Sequence, residues 1–477
     1  MSLHEECGVF GIYNNNDLDA VHLTYLGLYS LQHRGQVSCG IAVNNDTQVT
    51  CCKELGTVPD VFNSEKLEKL KKNGQGGMAV GHVRYSPGAV IEEVNSQPLV
   101  MHYVKGTMAL ASNGCLVNSI ALRKEMESRG AIFQTSTSVE ILSYLIARTR
   151  LEAGSVEQAM SKVMDQLSGA YSLVIMTPRK LVAARDPQGF RPLCIGMVED
   201  SYVICSESCA IDSIGGKFIR DVEPGEIVIV DKNGLRSIKD HCRGQNTSLC
   251  IFEHIYFARP DSVIDAVSVH DSRRRAGALL SKEHPVEADV VIGAPDSGLD
   301  AAMGYADASG IPYEIGFIKN RYVGRTFIQP SQRERERAVA IKLNPIKAVV
   351  SGKRVVLVDD SIVRGTTSKH IISVLRKAGA KEVHMRISSP PFIHRCYFGT
   401  DISKESDLVA NKMSIAQICK KIGADSLGYL SAESLASLAE NLDCGYCAGC
   451  FTGNYPIPVD NEEYVDVFDN KLTTLKK

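Results

Sequence analysis

Residues Val355 to Ser368, VVLVDDSIVRGTTS, constrain this chain more than any other stretch. Val355, Val356, Leu357 and Val358 form the short unbroken apolar run of a strand buried on both faces of a parallel sheet. Asp359 and Asp360 stand at its carboxyl end, where open α/β sheets bind ligands, and Gly365 lets the next residues fold closely round a small anion. Thr366, Thr367 and Ser368 then open a helix whose apolar positions Ile371, Ile372, Val374 and Leu375 are expected to face the sheet. Its first-turn amides and partial positive charge therefore point into the Arg364 to Ser368 loop. An isolated pair of aspartates reads as a surface turn; the register of apolar run, paired acids, glycine and helix start favours a binding loop.

Neighbouring acids repel a phosphate while a helix start attracts one. A sugar phosphate reconciles the two: its 5′-phosphate lies in the Arg364–Ser368 cradle, its hydroxyls donate to the carboxylates, and a magnesium ion offsets charge nearby. No GxxxxGK[ST] or GxGxxG spacing occurs here, so nucleoside triphosphate and dinucleotide readings are weak. The stretch resembles the phosphoribosyl pyrophosphate (PRPP) signature of the type I phosphoribosyltransferases.

At 477 residues the chain is too long for one ordinary core, and two domains of roughly 200 residues each are expected. A net charge of −2 gives no general attraction to nucleic acid or to an anionic membrane. No apolar run approaches the roughly 20 residues of a spanning helix and the N-terminus lacks signal-peptide regions, so a cytoplasmic location is expected. Fifteen cysteines, an odd number in a long chain, argue against a secreted disulfide scaffold and point to metal, catalysis or burial.

The N-terminal half begins with a thiol before an apolar strand, Cys7-Gly8-Val9-Phe10-Gly11-Ile12. Such a cysteine is ordinarily a small buried residue. If residues 1–6 are removed as a propeptide, Cys7 carries both a nucleophilic sulfur and an α-amine, whose pKa of about 8 suits a general base. CGVFGI resembles the start of the N-terminal nucleophile glutamine amidotransferases, and LQHRGQVSCGI at Leu31–Ile41 resembles a segment near their nucleophile. The resemblance implies that Arg84 of GHVRYS takes the glutamine α-carboxylate in its rigid fork. It also implies that Asn113 and Gly114 of SNG form the oxyanion hole, pre-aimed donors for charge that appears only in the transition state. Read singly, Arg84 is a surface ion pair and Asn113-Gly114 a hairpin turn. RDPQGFRPL at Arg185–Leu193 and RDVEPGEIV at Arg220–Val228 extend the match across this half.

Two positions depart from the family pattern. Where the family reads Ser-Asp-Thr-Glu, with the Asp holding the substrate amine, this chain reads Thr137-Ser138-Val139-Glu140; where it reads RYST, this chain has RYSP with Pro87. Losing that charge-assisted bond costs about 1.5–3 kcal/mol, roughly ten- to a hundredfold in affinity, unless Glu140 or a water substitutes.

A polar stretch from Asp231 to Ser248 reads as the linker. CIFEHIYFARPDS, Cys250–Ser262, follows and resembles the PRPP amidotransferases across the domain junction. VVIGAPDSG then gives a second strand and turn, whose Asp296, Ser297 and Gly298 resemble the family's pyrophosphate loop, with the Ser297 hydroxyl near the metal. An ordinary strand-to-helix turn fits these three nearly as well when they are taken alone. In KNRYVGRTFIQPSQRERERAVAIKLN, Tyr322, Arg325 and Lys342 match a flexible loop that closes over PRPP and excludes water; the Arg and Glu alternation at 333–337 reads as a solvated helix face. Cys444-Gly-Tyr-Cys447-Ala-Gly-Cys450 leaves zinc, redox chemistry and chance open. The resemblance implies a [4Fe-4S] cluster held by Cys250, Cys396, Cys447 and Cys450, with zinc the runner-up and Cys444 an extra.

With these motifs in family order, the chain is identified as a member of the glutamine PRPP amidotransferases. The resemblance implies an αββα N-terminal nucleophile sandwich (α+β) over residues 7–240, an α/β type I phosphoribosyltransferase domain with a parallel sheet over 250–455, and a tail, 456–477, without chemistry. It implies ammonia transfer from glutamine to PRPP, giving 5-phosphoribosylamine, glutamate and pyrophosphate at the first step of purine synthesis. Ser297, Asp359 and Asp360 hold Mg²⁺ in that reading, purine nucleotides are effectors, and the assembly is a homotetramer. The alternative is an ammonia-dependent phosphoribosyltransferase with an impaired glutaminase half. A PRPP-sensing transcription regulator lacks support in any helix-turn-helix or basic surface, and other glutamine amidotransferases that share this N-terminal half are opposed by the DD turn.

Overall fold

The computed structural model describes residues 7–15, 18–45, 48–74, 77–85, 93–242, 247–320, 343–400, 402, 405–438 and 445–459. The strand Gly8–Tyr13 is buried along almost its whole length because it runs through the middle of a sheet. Its alternate residues serve two different cores. Phe10 and Ile12 pack outward with Val21, Leu28 and Ile211 of the covering helices, while Val9 packs inward with Ala109, Val174 and Val228 of a second sheet. Gly11 points inward as well, where a Cβ would stand 2.7 Å from Val174 Cγ1, so glycine sets how closely the sheets approach.

The first sheet has seven antiparallel strands and the second has six, the latter running from Leu99–Tyr103 at one edge to Gly234–Ile238 at the other. Helices Ala20–Ser30 and Ser208–Ser213 cover the outer face of the first sheet; Ser138–Thr149 and Val156–Met164 cover that of the second. The result is the four-layer αββα sandwich anticipated from the sequence. The linker reading, in contrast, fails over its first half: Gly234–Ile238 is an edge strand paired with Ile227–Asp231. GLRSI leaves Arg236 and Ser237 exposed, so burial of one face of an edge strand is too weak to appear as apolar alternation.

The C-terminal half is built on a parallel sheet in the order Val290–Gly293, Arg354–Asp359, Glu382–Ile387, Ser426–Tyr429. Helices Val269–Glu283 and Leu299–Ser309 lie on one face, Thr366–Lys377 and Ile415–Ile422 on the other. Ile371, Ile372 and Leu375 are buried against the sheet as anticipated, while Val374 is half-exposed. A short parallel pair, Ser248–Cys250 with Gly445–Cys447, brings the end of the chain back to the junction between the halves. Among the described residues, no helix is long and apolar enough to cross a membrane.

Candidate active sites

Pairing register gathers the N-terminal constellation. Gly8 lies opposite Val83 and Arg84 lies opposite Ser38, so Cys7 and Arg84 come together at one end of adjoining strands. The Cys7 Sγ is 3.8 Å from the Tyr85 carbonyl, its own carbonyl accepts a 3.2 Å bond from Arg34 Nε, and the Val37 amide donates to Arg84 O at 2.9 Å. The second sheet delivers Asn113. His82 Nε2 donates to Ser112 O at 3.1 Å across the sandwich, and burial pushes that imidazole down to about 3, so it remains neutral.

Asn113 ends the strand Gly106–Asn113, is 2% exposed, and its Nδ2 has no hydrogen-bond partner among the described residues. An unsatisfied buried donor costs about 1–3 kcal/mol, and this nitrogen is therefore open to an acceptor supplied from outside the described residues. Gly114 follows with φ +120°, and a Cβ there would stand 2.4 Å from Ala170 O, so only glycine fits. The strand leads on to the helix Ser119–Ser128 rather than into the hairpin that Asn-Gly alone would favour.

Ser138 is the first residue of the helix Ser138–Thr149. Glu140 accepts from the Gln134 amide at 2.9 Å, the Thr135 amide at 2.7 Å and Thr135 Oγ1 at 2.8 Å, and is 4% exposed. It braces the turn before its helix, so it cannot stand in for the missing carboxylate on a substrate amine. Ser86 and Pro87 lie outside the described residues.

The second constellation is the acidic turn. Asp359 and Asp360 are 8% and 6% exposed. Burial, followed by the charge of Asp360, holds the Asp359 carboxyl well above the usual range; burial also raises Asp360, against opposing bonds from Ser297 and Ser361. Ser297 Oγ donates to Asp360, joining the two turns. Gly298 permits that approach, since a Cβ there would stand 2.4 Å from Val358 O. Asp296 is exposed and paired with Lys319. Gly365, at φ +77°, precedes the helix Thr366–Lys377 and brings no side-chain cap, which leaves the amide end of Thr366, Thr367 and Ser368 facing the loop. Arg364 pairs with Asp407 at 2.7 Å, both about half-exposed, so its guanidinium is engaged by a carboxylate. Tyr322, Arg325 and Lys342 lie outside the described residues.

Among the described residues no three His, Cys, Asp or Glu side chains stand together as a ready metal site. Two carboxylates and a hydroxyl nevertheless suit Mg²⁺, which takes most of its remaining ligands from water and phosphate. Cys250, Cys396, Cys447 and Cys450 lie in one region at the junction, the first and third buried and the other two half-buried, without standing together as a ready site. Cys250 lies opposite Cys447 on the parallel pair, and the Cys450 thiol is raised well above its ordinary range by burial and then by Cys396, Cys250 and Cys447. A soft, four-sulfur donor set of this kind fits an iron–sulfur cluster. Cys444 lies outside the described residues.

Sequence reasoning quoted Arg34, Arg191 and Glu253 inside matching segments without giving them a part. All three are buried at the junction of the two halves: Glu253 accepts from Arg34 Nη2 at 2.8 Å and from Arg191 Nη1 at 3.3 Å. The available signal was a charge inside each otherwise apolar or turn-forming segment.

Comparison with known proteins places both constellations in one family. Residues 82–213 match the glutamine amidotransferase domain and residues 269–388 the phosphoribosyl transferase domain. The amidophosphoribosyltransferase of Bacillus subtilis (strain 168) is 47% identical over 462 residues, 96% of this chain and 95% of that one. That of Archaeoglobus fulgidus is 47% identical over 459 residues, 96% and 99% of the respective chains. The structure of the glutamine PRPP amidotransferase from B. subtilis complexed with ADP and GMP is 46% identical, covers 96% of this chain and 99% of that chain, and superposes with a TM-score of 0.88. A structure described as the allosteric regulatory enzyme of purine biosynthesis gives 0.89 at 45% identity, over 98% and 100%.

Proposed function

The chain belongs to the amidophosphoribosyltransferase family, and we propose on that footing that its two constellations act in sequence, one releasing ammonia from glutamine and the other adding it to PRPP. The reaction yields 5-phosphoribosylamine, glutamate and pyrophosphate, the first step of purine biosynthesis. The buried Asn113 Nδ2, without a partner among the described residues, is the observation that carries the glutaminase assignment. Removal of residues 1–6 gives Cys7 a free α-amine, which takes the thiol proton as the sulfur attacks the carboxamide and returns it to the departing ammonia; a water, deprotonated by the same amine, then cleaves the resulting γ-glutamyl thioester, releasing glutamate and restoring the thiol. Asn113 Nδ2 and the Gly114 amide receive the oxyanion, and Arg84 takes the glutamine α-carboxylate.

At the second site the helix start at Thr366–Ser368 binds the 5′-phosphate, while Asp359 and Asp360 accept from the ribose hydroxyls. The amides of Asp296, Ser297 and Gly298 hold pyrophosphate as ammonia attacks C1. Arg364, turned toward Asp407 here, swings inward only if that ion pair opens. Tyr322, Arg325 and Lys342 close the site against water. Ser297, Asp359 and Asp360 would hold Mg²⁺, which would supply charge neutralisation for the leaving group. Cys250, Cys396, Cys447 and Cys450 would hold a [4Fe-4S] cluster, which would supply a structural crosslink between the end of the chain and both halves. We further propose a cytoplasmic homotetramer controlled by purine nucleotides, the last supported by the ADP and GMP in the B. subtilis relative.

The test is stoichiometry. With glutamine, PRPP and Mg²⁺, glutamate and pyrophosphate form in a one-to-one ratio if the sites are coupled. Pyrophosphate formed only when ammonium is added, without glutamate, replaces this reading with the ammonia-dependent one, which the occupied Glu140 and Ser138 favour.

A further inference from the structure

The arginine beside the nucleophile is held from both halves of the chain: Arg34 Nη1 pairs with buried Glu207 of its own half, and Nη2 with a residue of the other. Glu253, from the segment after the junction, is fully buried, and its two oxygens lie 2.8 and 2.9 Å from Arg34 Nη2. Arg34 Nε in turn donates to the carbonyl of Cys7 at 3.2 Å. The same Glu253 Oε1 meets Arg191 Nη1 at 3.3 Å. Arg191 Nη2 donates to Phe398 O at 2.9 Å, and the Arg191 carbonyl accepts from Ser172 Oγ at 3.0 Å. Ser172 is the strand partner of Asn113.

Arg191 thereby clamps the 398–400 loop of the C-terminal half onto the oxyanion residues. Phe398 stacks on Phe190 with ring centroids 4.1 Å apart. A Cβ built on Gly399 would stand 3.2 Å from Arg191 Nη2, 3.5 Å from Gly114 Cα and 3.7 Å from the Cys115 amide nitrogen. Gly114 is therefore held between Ala170 of its own half and Gly399 of the other. A buried ion pair is often no more stabilising than apolar residues of the same shape, so the value of this network lies in geometry. We infer that Glu253 is a positioning residue for amide cleavage: through Arg34 it fixes the nucleophile, and through Arg191 and the Phe398–Gly399 loop it fixes the oxyanion donors. The inference rests on the assignment of Cys7, Asn113 and Gly114 given above. It makes amide cleavage dependent on how the two halves are docked.

The experiment uses the full chain with Glu253→Gln and, because taking a charged partner from two buried arginines can destabilise a protein even though Arg34 keeps Glu207, also Gly399→Ala, which presses on the same contact from a backbone at φ +123° without removing a charge. Each folded variant is expected to lose about 10- to 100-fold in glutaminase kcat with KM for glutamine within about twofold, the signature of an interaction made in the transition state. Affinity for the γ-aldehyde analogue of glutamine, whose Cys7 thiohemiacetal carries the oxyanion, falls in parallel, while glutamate affinity and ammonium-driven pyrophosphate release hold. Unchanged kcat and aldehyde affinity in either folded variant overturn the inference, as does an equal loss of the ammonium-driven reaction, which would mark a merely structural role. Asn113→Ala separates the two levels. If it leaves aldehyde affinity intact, the oxyanion assignment itself fails; if it abolishes that affinity while Glu253→Gln and Gly399→Ala do not, only the positioning inference fails.

Discussion

Asn113→Ala separates catalysis from stability more sharply than any other change. The side chain is 2% exposed and its Nδ2 has no partner among the described residues, so truncation breaks no hydrogen bond made there by that nitrogen. Removing a buried unsatisfied donor relieves about 1–3 kcal/mol. The small cavity left behind costs a similar amount, and net stability is expected to stay within about 1 kcal/mol of the parent. Catalysis has no such compensation, because the donor engages charge that exists only in the transition state. Loss of one oxyanion donor costs about 2.7–4 kcal/mol, on the order of 10²–10³ in kcat. The assays are glutamate release across a glutamine series and urea denaturation on the same preparation. A kcat loss below about threefold, or a loss of stability that matches the loss of activity, refutes the reasoning.

Other outcomes follow from the same geometry. Asp359 is raised above its unfolded value by burial and then by Asp360, so the ligand-free fold binds more protons than the unfolded chain and loses stability as pH rises through the native value. Asp359→Asn should raise the melting temperature at pH 8 while cutting PRPP affinity by about ten- to a hundredfold; calorimetry and pyrophosphate release check the two halves of that statement. His254 is buried, with neither ring nitrogen partnered among the described residues, and burial pushes it down to about 4. Its neutral form gives stability that is fully present above about 6.5 and is lost as pH falls toward 4. Asp186 and Asp221, raised to about 6 and about 7 by burial, act with the opposite sign, so the comparison must be with His254→Gln. That variant should gain roughly 2–3 kcal/mol on the parent between pH 7.5 and 4.5 in urea denaturation. Anaerobically purified protein should contain iron and acid-labile sulfide in equal amounts, both absent from Cys447→Ser; zinc in their place would reassign the four thiols.

Local patterns were legible in the sequence and long-range pairing was not. The acidic turn could be read because strand, acids, glycine and helix start lie within fourteen consecutive positions, and the structure places them as strand Arg354–Asp359 and helix Thr366–Lys377. The same locality misled at Gly234–Ile238, an edge strand whose exposed Arg236 and Ser237 hide its pairing. Glu140 looked able to replace a missing carboxylate; its occupation by the amides of Gln134 and Thr135 depends on a turn that sequence patterns do not display. Arg34 meets Glu253 across 219 positions and Arg191 meets Phe398 across 207, separations at which a charge gives no hint of its partner. The motif resemblance singled out Cys7, Arg84 and Asn113 where locality could not; strand register puts the first two at one end of adjoining strands and Asn113 at the end of a strand in the second sheet.

Replacement of the nucleophile tests the two-site account most directly. Pyrophosphate release from PRPP is measured for the parent and for Cys7→Ala, each with glutamine and with ammonium, alongside the intact mass of both chains. The account predicts a parent chain that begins at Cys7 and works with either nitrogen source, and a variant that is inactive with glutamine but close to parental with ammonium. Glutamine-driven release surviving in Cys7→Ala, or a parent that retains residues 1–6 and still uses glutamine, would contradict it.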